Sequence, residues 1–185
     1  MQFIQQAVKD VWHITFNVFS DSRGAFSRLF CNDEFYEHLG YRLTLNQINL
    51  SEATQKGTFK GIHFQKAPFA EYKMVICLKG VIHDYAVDLR EGSSSFLQHV
   101  RVELDANRRE ALLLPPYVGH AFQTLTKDVQ LLYLHSSFYN KEFEDGCRYD
   151  DPLIKLPLEL PISEISERDL GFTILNQNFT GYFVT

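Results

Sequence analysis

Short hydrophobic segments recur along most of the chain, and polar turn residues separate them. From Leu43 onward, runs rich in leucine, β-branched and aromatic residues follow one another at short intervals: LTLNQINL, TFKGIHF, YKMVICL, VIHDYAVDL, QHVRVEL, EALLLP, HAFQTL and VQLLYLHSSFY. Turn-forming residues stand between them, for example at Lys79-Gly80, Asp105-Ala106-Asn107 and Pro115-Pro116. Strands at this spacing, with no helical period between them, are typical of an antiparallel sandwich or barrel. The pattern therefore predicts an all-β barrel.

The N-terminal part combines one strand pattern with one helix pattern. Val11–Phe19, VWHITFNVF, is rich in β-branched and aromatic residues and is followed by a turn-forming cluster that begins at Asp21. Asn32–Leu39, NDEFYEHL, has an asparagine suited to capping, early acidic residues and a glycine stop at Gly40. The sequence therefore predicts one strand over Val11–Phe19 and one short helix capped by Asn32.

The composition changes near the end of the chain, where three prolines fall within ten residues, from Pro152 to Pro161. Proline fixes φ and removes a backbone donor, so no long regular element can form there. We expect residues 150–185 to wrap around the barrel as a C-terminal segment, with one or two helical turns seeded at Ser163. Since no repeat, low-complexity tract or linker divides the chain, residues 1–185 are expected to form a single domain.

Composition and charge restrict the class of partner. The 185 residues are 45% hydrophobic and carry a formal net charge of −5, which suits one globular domain and gives no general attraction for nucleic acid or anionic lipid. Any phosphate must therefore be held by a local cluster of cations. The segment MQFIQQAVKDVW has no basic region followed by an apolar core, and no apolar run approaches the roughly 18 residues that cross a bilayer. We expect neither a nucleic-acid nor a membrane partner.

The three cysteines, Cys31, Cys77 and Cys147, are odd in number, widely spaced and without a C-x-x-C pair. This usage argues against a disulfide framework and against a zinc knuckle. It fits a reducing compartment, and a cytoplasmic location is expected.

The stretch Lys60–Lys73, KGIHFQKAPFAEYK, is the first candidate site. It places His63 inside an apolar strand pattern and Lys73 at the start of the next apolar run, and both side chains are costly to bury without partners. His63, with an ordinary pKa of about 6.5, could act as an acid or base, or it could be a core histidine bonded to a backbone carbonyl. Lys73 could stabilise an oxyanion, or it could lie at a strand edge with its ammonium group in solvent.

Other polar residues lie in or beside the predicted strands. Tyr133, in LLYLHSSFY, could be a general acid or an ordinary barrel aromatic. Arg23, in its turn, could bind a phosphate or could be a solvated surface residue. Gln47 and Asn49 alternate along one strand and therefore share a face, where they could contact a ligand or each other. Taken one at a time, none of these residues decides the function.

A metal site is the alternative chemistry for a β-barrel with these histidines. Such sites need three or four ligands, commonly an H-x-H pair and a third histidine from a later strand. Here His63-Phe64-Gln65 has glutamine in place of the second histidine, although His120 and Glu71 could contribute. The pattern therefore favours a site without metal.

Taken together and in their order, these residues resemble the nucleotide-sugar epimerase family typified by dTDP-4-dehydrorhamnose 3,5-epimerase. The resemblance runs from about Phe16 to Asp169 and is carried by DSRGAFSRLF, QINLSEATQKGTFKGIHFQ, EYKMVICLKGVIHDYAVDLR, LLLPPYVGHAFQTL, LLYLHSSFY, YDDP and ISERD. It implies a cupin-type double-stranded β-helix with short peripheral helices. It also implies a homodimer that works without a metal or any other cofactor.

The resemblance further implies a reaction on a nucleotide-diphosphate-linked 4-keto-6-deoxy sugar, in which carbon 3, carbon 5 or both are inverted. A hydrogen beside the keto group is removed to give an enolate, and a proton returns to the opposite face. By resemblance, His63 is the base, and Asp169 orients it and supports its charge. Lys73 faces the enolate oxygen, and Tyr133 returns the proton.

For substrate binding, the resemblance implies that Arg23 and Lys60 hold the diphosphate. Gln47 and Asn49 would contact sugar or phosphate oxygens, and Tyr139 would stack near the base. His120 and Asp84 are implied to line the same interior in supporting roles.

Besides the YDDP motif, where the family has W-N-D-P, and an unfamiliar GYFVT ending, two positions depart from the family pattern. Lys60 stands where an arginine is usual, and a lysine cannot make the bidentate hydrogen bonds to phosphate that an arginine makes. Arg28 reverses the sign of an acid that is common at its position. The catalytic set is intact, so the sequence predicts the reaction and leaves the nucleotide open.

Two alternatives belong to other functional classes. A metal-dependent cupin isomerase or oxygenase would contain stoichiometric metal in its active form. A non-catalytic sugar-binding barrel would bind the nucleotide sugar and leave its hydrogens unexchanged. The complete set of His63, Asp169, Lys73 and Tyr133 favours the epimerase over both, because a binding module has no use for it.

Overall fold

Strands dominate the chain, as the hydrophobic pattern predicts. The computed structural model describes residues 1–184, which form thirteen strands and two short helices. In chain order these are β1 (Gln2–Gln5), β2 (Trp12–Thr15), β3 (Val18–Asp21), β4 (Gly24–Ser27), α1 (Asn32–Leu39), β5 (Gln47–Ala53), β6 (Phe59–Gln65), β7 (Lys73–Lys79), β8 (Val81–Asp88), β9 (His99–Asp105), β10 (Glu110–Leu114), β11 (Val118–Thr124), β12 (Val129–His135), β13 (Glu144–Gly146) and α2 (Glu167–Leu170).

Two antiparallel sheets form the barrel. The first has six strands in the order β1-β2-β10-β7-β12-β5, the second has five in the order β13-β6-β11-β8-β9, and β3 pairs with β4 in a hairpin. Side chains from both sheets meet in one core cluster, where Val75 and Leu112 of the first sheet pack with Ile82 and Phe122 of the second. The expected all-β double-stranded β-helix is therefore confirmed.

The C-terminal segment covers the outer face of the five-stranded sheet. All seven residues of β11 are buried, whereas β5, at the edge of the other sheet, is mostly exposed. Because successive strand residues point to opposite faces, burial at every position requires cover on both sides. Ile154, Leu156, Phe179 and Tyr182 supply that cover by packing in one cluster with Ala121 of β11. Apolar burial of this kind is the main favourable term that holds the segment in place.

The prediction of one N-terminal strand is wrong, because Val11–Phe19 contributes to two strands. β2 belongs to the six-stranded sheet and β3 to the hairpin. The break falls at Phe16, whose side chain is buried in a cluster with Phe35 of α1 and whose N–H donates to the carbonyl of Arg109. Local composition indicates β propensity, but the packing of neighbouring elements decides which sheet a strand joins.

Helix α1 has the predicted bounds but not the predicted cap. Gly40 ends it in the left-handed conformation, at φ 77°. The N-cap is Cys31, which makes no side-chain capping bond. Asn32 Oδ1 instead accepts the N–H of Leu43 at 2.9 Å and so ties the start of the helix to the chain that follows it.

Helix α2 begins later than predicted, at Glu167. Its cap is Ser166, whose Oγ accepts the N–H of Asp169 at 3.1 Å. Ser163, the predicted seed, donates its hydroxyl proton to the carbonyl of Lys56. The cap matters for the site, because this single helical turn contains Asp169 and positions its carboxylate against strand β6.

Neither helix among residues 1–184 is long enough to cross a membrane. They contain eight and four residues, whereas a helical crossing needs about 20 apolar residues.

Candidate active site

Most of the predicted site residues line one cavity of about 730 Å³ in the barrel. Strands of both sheets contribute to its walls, so side chains face one another across it. Its lining includes Asn49, Lys60, His63, Lys73, His120, Tyr133 and Tyr139. The fold therefore brings together residues that are up to 90 positions apart in the chain.

His63 and Asp169 form a hydrogen-bonded pair at this cavity. Nε2 of His63 lies 2.8 Å from Oδ1 of Asp169, and the N–H of Gly61 donates to Oδ2 at 3.0 Å. Burial disfavours the Asp169 carboxylate, but the bonds from His63 and Gly61 outweigh it and lower the Asp169 pKa to about 2. The carboxylate is therefore ionised at neutral pH, and it holds the imidazole by one nitrogen.

Gly61 makes this contact possible. Its φ of +123° is unfavourable for any residue with a side chain. A Cβ at this position would lie 2.5 Å from Cβ of Ala121 and 2.6 Å from the carbonyl of His120. Glycine thus allows β6 to approach β11 closely and directs its own N–H at Asp169.

Lys73 lies in the opposite sheet, at the start of β7, and 13% of its side chain is exposed. Its Nζ is 3.9 Å from Oε1 of Glu71, an ion-pair distance rather than a hydrogen bond. Burial lowers the Lys73 pKa, and the charge of Glu71 opposes that shift. The charge on this lysine therefore depends on its carboxylate neighbour.

Tyr133 and the His120–Asp84 pair lie deeper in the barrel. The Tyr133 ring meets the His120 ring edge-on at 5.7 Å, and Nε2 of His120 is 2.7 Å from Oδ1 of Asp84. Burial raises the pKa of Tyr133 and keeps it a neutral phenol, which can donate a proton. Burial also raises the pKa of Asp84 and lowers that of His120, so it disfavours both charges of this pair.

Of the predicted recognition residues, Asn49, Lys60, His120 and Tyr139 line the cavity, whereas Gln47 does not line it and is bonded to Asn49. Lys60 Nζ donates to Ser51 Oγ at 3.1 Å, and Gln47 Nε2 donates to Asn49 Oδ1 at 3.1 Å. Tyr139 is half exposed, and its hydroxyl donates to Glu144 at 2.9 Å. These side chains place polar groups at the mouth, where a ligand's phosphates could be reached.

Arg23 lies outside this cavity. It stands at the turn between β3 and β4, its side chain is 88% exposed, and it pairs with Asp21 at 2.6 Å. Arg28, at the end of the same hairpin, pairs with Glu34 at 2.9 Å. The structure therefore does not bring Arg23 to the site of its own chain.

Three residues at the site were not predicted: Arg168, Glu144 and His135. Nη2 of Arg168 lies 3.0 Å from Nε2 of His63, and its Nη1 donates to Glu144 at 2.8 Å. Arg168 could have been found, because it precedes Asp169 in the ISERD motif. Glu144 lies in a three-residue strand, and nothing in its local sequence distinguishes it from a surface acid.

The histidines of the cavity do not form a metal-ligand set. His63 and His120 are register partners across β6 and β11, yet each directs Nε2 at its own carboxylate. Among residues 1–184, no group of three or more histidine, cysteine or acidic side chains has the geometry to hold a metal ion. The side chains of the cavity are thus arranged in pairs suited to proton transfer.

Comparison with known proteins agrees with this geometry. The family model described as dTDP-4-dehydrorhamnose 3,5-epimerase matches residues 5–177. The dTDP-4-dehydrorhamnose 3,5-epimerase of Shigella flexneri is 33% identical over 173 residues, 92% of this chain and 94% of that protein. The dTDP-4-dehydrorhamnose 3-epimerase of Streptomyces niveus is 34% identical over 168 residues, 91% of this chain and 81% of that protein.

A solved structure shows the same architecture. The dTDP-4-dehydrorhamnose 3,5-epimerase of Elizabethkingia anophelis superposes with a TM-score of 0.91 at 30% sequence identity, covering 97% of this chain and 98% of that one. The match therefore extends over nearly the whole chain. The chain belongs to the dTDP-4-dehydrorhamnose 3,5-epimerase family.

Proposed function

We propose that the protein inverts carbon 3, carbon 5 or both of a dTDP-linked 4-keto-6-deoxy sugar, with His63 and Tyr133 carrying the two proton transfers. One observation carries the proposal: the two residues stand on strands of different sheets, β6 and β12, and line one cavity together with Lys73. Inversion requires proton removal from one face and proton return to the other. Groups on opposite walls meet that requirement.

The first step is removal of a proton from the carbon beside the keto group. Nε2 of His63 is engaged by Asp169, so Nδ1, which lies 3.4 Å from Arg168 Nη2, takes the proton. The C–H electron pair forms a double bond to the carbonyl carbon. The π electrons of the keto group move onto its oxygen, which then carries the negative charge. The ammonium of Lys73 stabilises this enolate, and Asp169 stabilises the imidazolium.

The second step is delivery of a proton to the opposite face of the same carbon. Tyr133 gives its phenolic proton and becomes a phenolate, and the enolate collapses to the inverted ketone. Exchange with water then returns a proton to Tyr133 and removes one from His63. The enzyme ends in its starting protonation state.

The substrate is supported by the names of the relatives and by the charge of the cavity mouth. Both curated relatives described above are named for dTDP-4-dehydrorhamnose. Lys60 and Arg168 line the cavity and can neutralise a diphosphate. Asn49 and Gln47 supply amides for its sugar or phosphate oxygens.

A deuterium experiment tests the function. Incubated in deuterated water with dTDP-4-keto-6-deoxyglucose, the protein should exchange and invert the hydrogen at carbon 3, carbon 5 or both, as read by proton NMR. Binding without exchange would indicate the sugar-binding barrel. Activity that disappears with a chelator and returns with stoichiometric metal would indicate the metal-dependent alternative.

The same assay with UDP-linked substrate would show whether Lys60 and Arg28 alter the nucleotide preference.

We also propose that the protein is a homodimer. Exposed apolar side chains lie on the β3–β4 hairpin, at Phe19 (64%) and Phe26 (67%), and on the edge strand β5, at Ile48 (59%) and Leu50 (58%). Uncovered edge strands and apolar patches of this kind are interaction sites. A second copy of the chain is the proposed cover, and Arg23 at the hairpin tip would then serve the cavity of the partner.

Complementation between two impaired variants, assayed at a substrate concentration well below KM, tests this arrangement. Arg23→Ala should raise KM at least about tenfold, because a charged hydrogen bond to phosphate is lost. Mixed and re-equilibrated with His63→Ala, it should recover roughly a quarter of wild-type activity, because half of the dimers then contain one intact site of two. An absence of recovery would show that Arg23 does not act across the dimer.

A further inference from the structure

Glu71 is the carboxylate beside the Lys73 ammonium, and the reaction described above gives it no role. It lies just before β7, only 7% of its side chain is exposed, and Oε1 is 3.9 Å from Lys73 Nζ. Its other oxygen, Oε2, is 3.0 Å from Nδ1 of His135. A carboxylate buried in a cavity wall is costly, so an arrangement that keeps it ionised calls for explanation.

A chain of hydrogen bonds leads to Glu71 across β5 and β12, strands of the same sheet as β7. It begins at the backbone N–H of Tyr139, which can only donate and which donates to Gln47 Oε1 at 2.9 Å. Gln47 therefore presents its Nε2 donor to Asn49 Oδ1 at 3.1 Å. Asn49 in turn presents its Nδ2 donor to Nε2 of His135 at 3.4 Å. The donor at Tyr139 thus sets the direction of every bond in the chain.

The direction of the chain fixes the state of His135. Since Asn49 donates to Nε2, that nitrogen must accept, and the ring carries its proton on Nδ1. The Nδ1–H then donates to Glu71, which must act as an acceptor. His135 is accordingly neutral, and Glu71 retains its negative charge facing Lys73.

We propose that Glu71 is a positioning residue for Lys73: it holds the ammonium against the cavity wall and keeps it protonated, while His135 fixes the carboxylate. The inference rests on the proposed function, in which a charged Lys73 faces the enolate oxygen. A neutral amine could not stabilise that oxygen by charge. Glu71 therefore contributes to the reaction without touching the substrate.

The other acids facing Lys73 contribute less. Glu144 on β13 is paired with Arg168, and burial disfavours the charge of Asp84 on β8, which is bonded to His120 on β11. Both acids act on Lys73 more weakly than Glu71 does. Glu71 lies at ion-pair distance from Lys73, so its negative charge is the main one that balances the ammonium.

Glu71→Gln tests the proposal, because it removes the charge and preserves the shape. In the 15N-lysine-labelled protein, the pKa of the Lys73 ammonium should fall by about one unit or more, as expected for loss of a close opposite charge. The alkaline limb of the kcat profile should move to lower pH by the same amount. Above the alkaline limb of the wild-type profile, kcat should fall by about tenfold for a one-unit shift, with KM within about threefold, since the uniform binding contacts are kept. Glu159→Gln, which removes an exposed carboxylate paired with Arg101, is the matched control.

The tautomer of His135 provides an independent test. Long-range 15N–1H spectra at pH 7.5 should show a neutral ring with its proton on Nδ1. A proton on Nε2, or a charged ring, would overturn the directed chain. An unchanged Lys73 titration and pH limb in Glu71→Gln would overturn the proposal even if activity fell. If the wild-type protein failed to epimerise, the proposed function would fall, while the Lys73 titration would still decide whether Glu71 holds its charge.

Discussion

Replacing His63 by alanine should abolish both epimerisation and solvent-deuterium incorporation, with a loss in kcat of about 10²–10⁴-fold, the range that a general base contributes. The reason is structural as well as chemical. Asp169 orients His63 at 2.8 Å, and removing the ring leaves the cavity without the group that takes the proton. Measurement of hydrogen exchange by proton NMR, with dTDP-4-keto-6-deoxyglucose as substrate, checks this directly.

The control for His63→Ala is His38→Ala, which removes an exposed imidazole on α1, and it should retain wild-type exchange. A rise in Tm on addition of dTDP should be preserved in His63→Ala, because a ligand stabilises only a folded site. A folded His63→Ala variant that exchanges hydrogen at the wild-type rate would refute the assignment of the base.

Replacing Tyr133 by phenylalanine should separate exchange from inversion. His63 can still remove a proton and return a deuteron to the same face, so exchange should persist within about tenfold. Inverted product should fall by about 10²-fold or more, because the opposite-face donor is missing. The ring contacts of Tyr133 with His120 and His135 remain available to phenylalanine. Proton NMR follows both quantities in one sample.

Tyr36→Phe is the matched control for Tyr133→Phe, since it removes a hydroxyl from an exposed ring on α1, outside the cavity. It should leave both exchange and inversion unchanged. Equal losses of exchange and inversion in Tyr133→Phe would mean that the phenol is not the opposite-face donor. They would instead place it on the path of the first proton transfer.

The local pattern of the chain was sufficient for the strands of the barrel but not for their partners. β6 to β12 follow hydrophobic runs that were visible in the sequence, because side-chain alternation and β propensity are local properties. Val11–Phe19 satisfied the same rules and yet divides between a sheet and a hairpin. That division depends on Phe16 packing against α1, which no local pattern contains.

The candidate site likewise combines residues that were predicted from the sequence with an arrangement that only the fold decides. His63, Lys73, Tyr133 and Asp169 were predicted from a resemblance in residue order, and the structure places the first three in one cavity and hydrogen-bonds the fourth to His63. Arg23 matched the same resemblance, but the fold exposes it on a hairpin away from its own cavity.

The sequence by itself determined an all-β barrel, a wrapping tail and a set of residue types suited to proton transfer beside a carbonyl. Only the tertiary structure decided which charges meet. Glu71 and His135 are 64 positions apart, and their 3.0 Å contact exists because β12 pairs with β7 so that His135 lies opposite Lys73. Strand patterns depend on neighbours in the chain, whereas the charge on Lys73 depends on neighbours in space, and these are fixed only when the sheets pack.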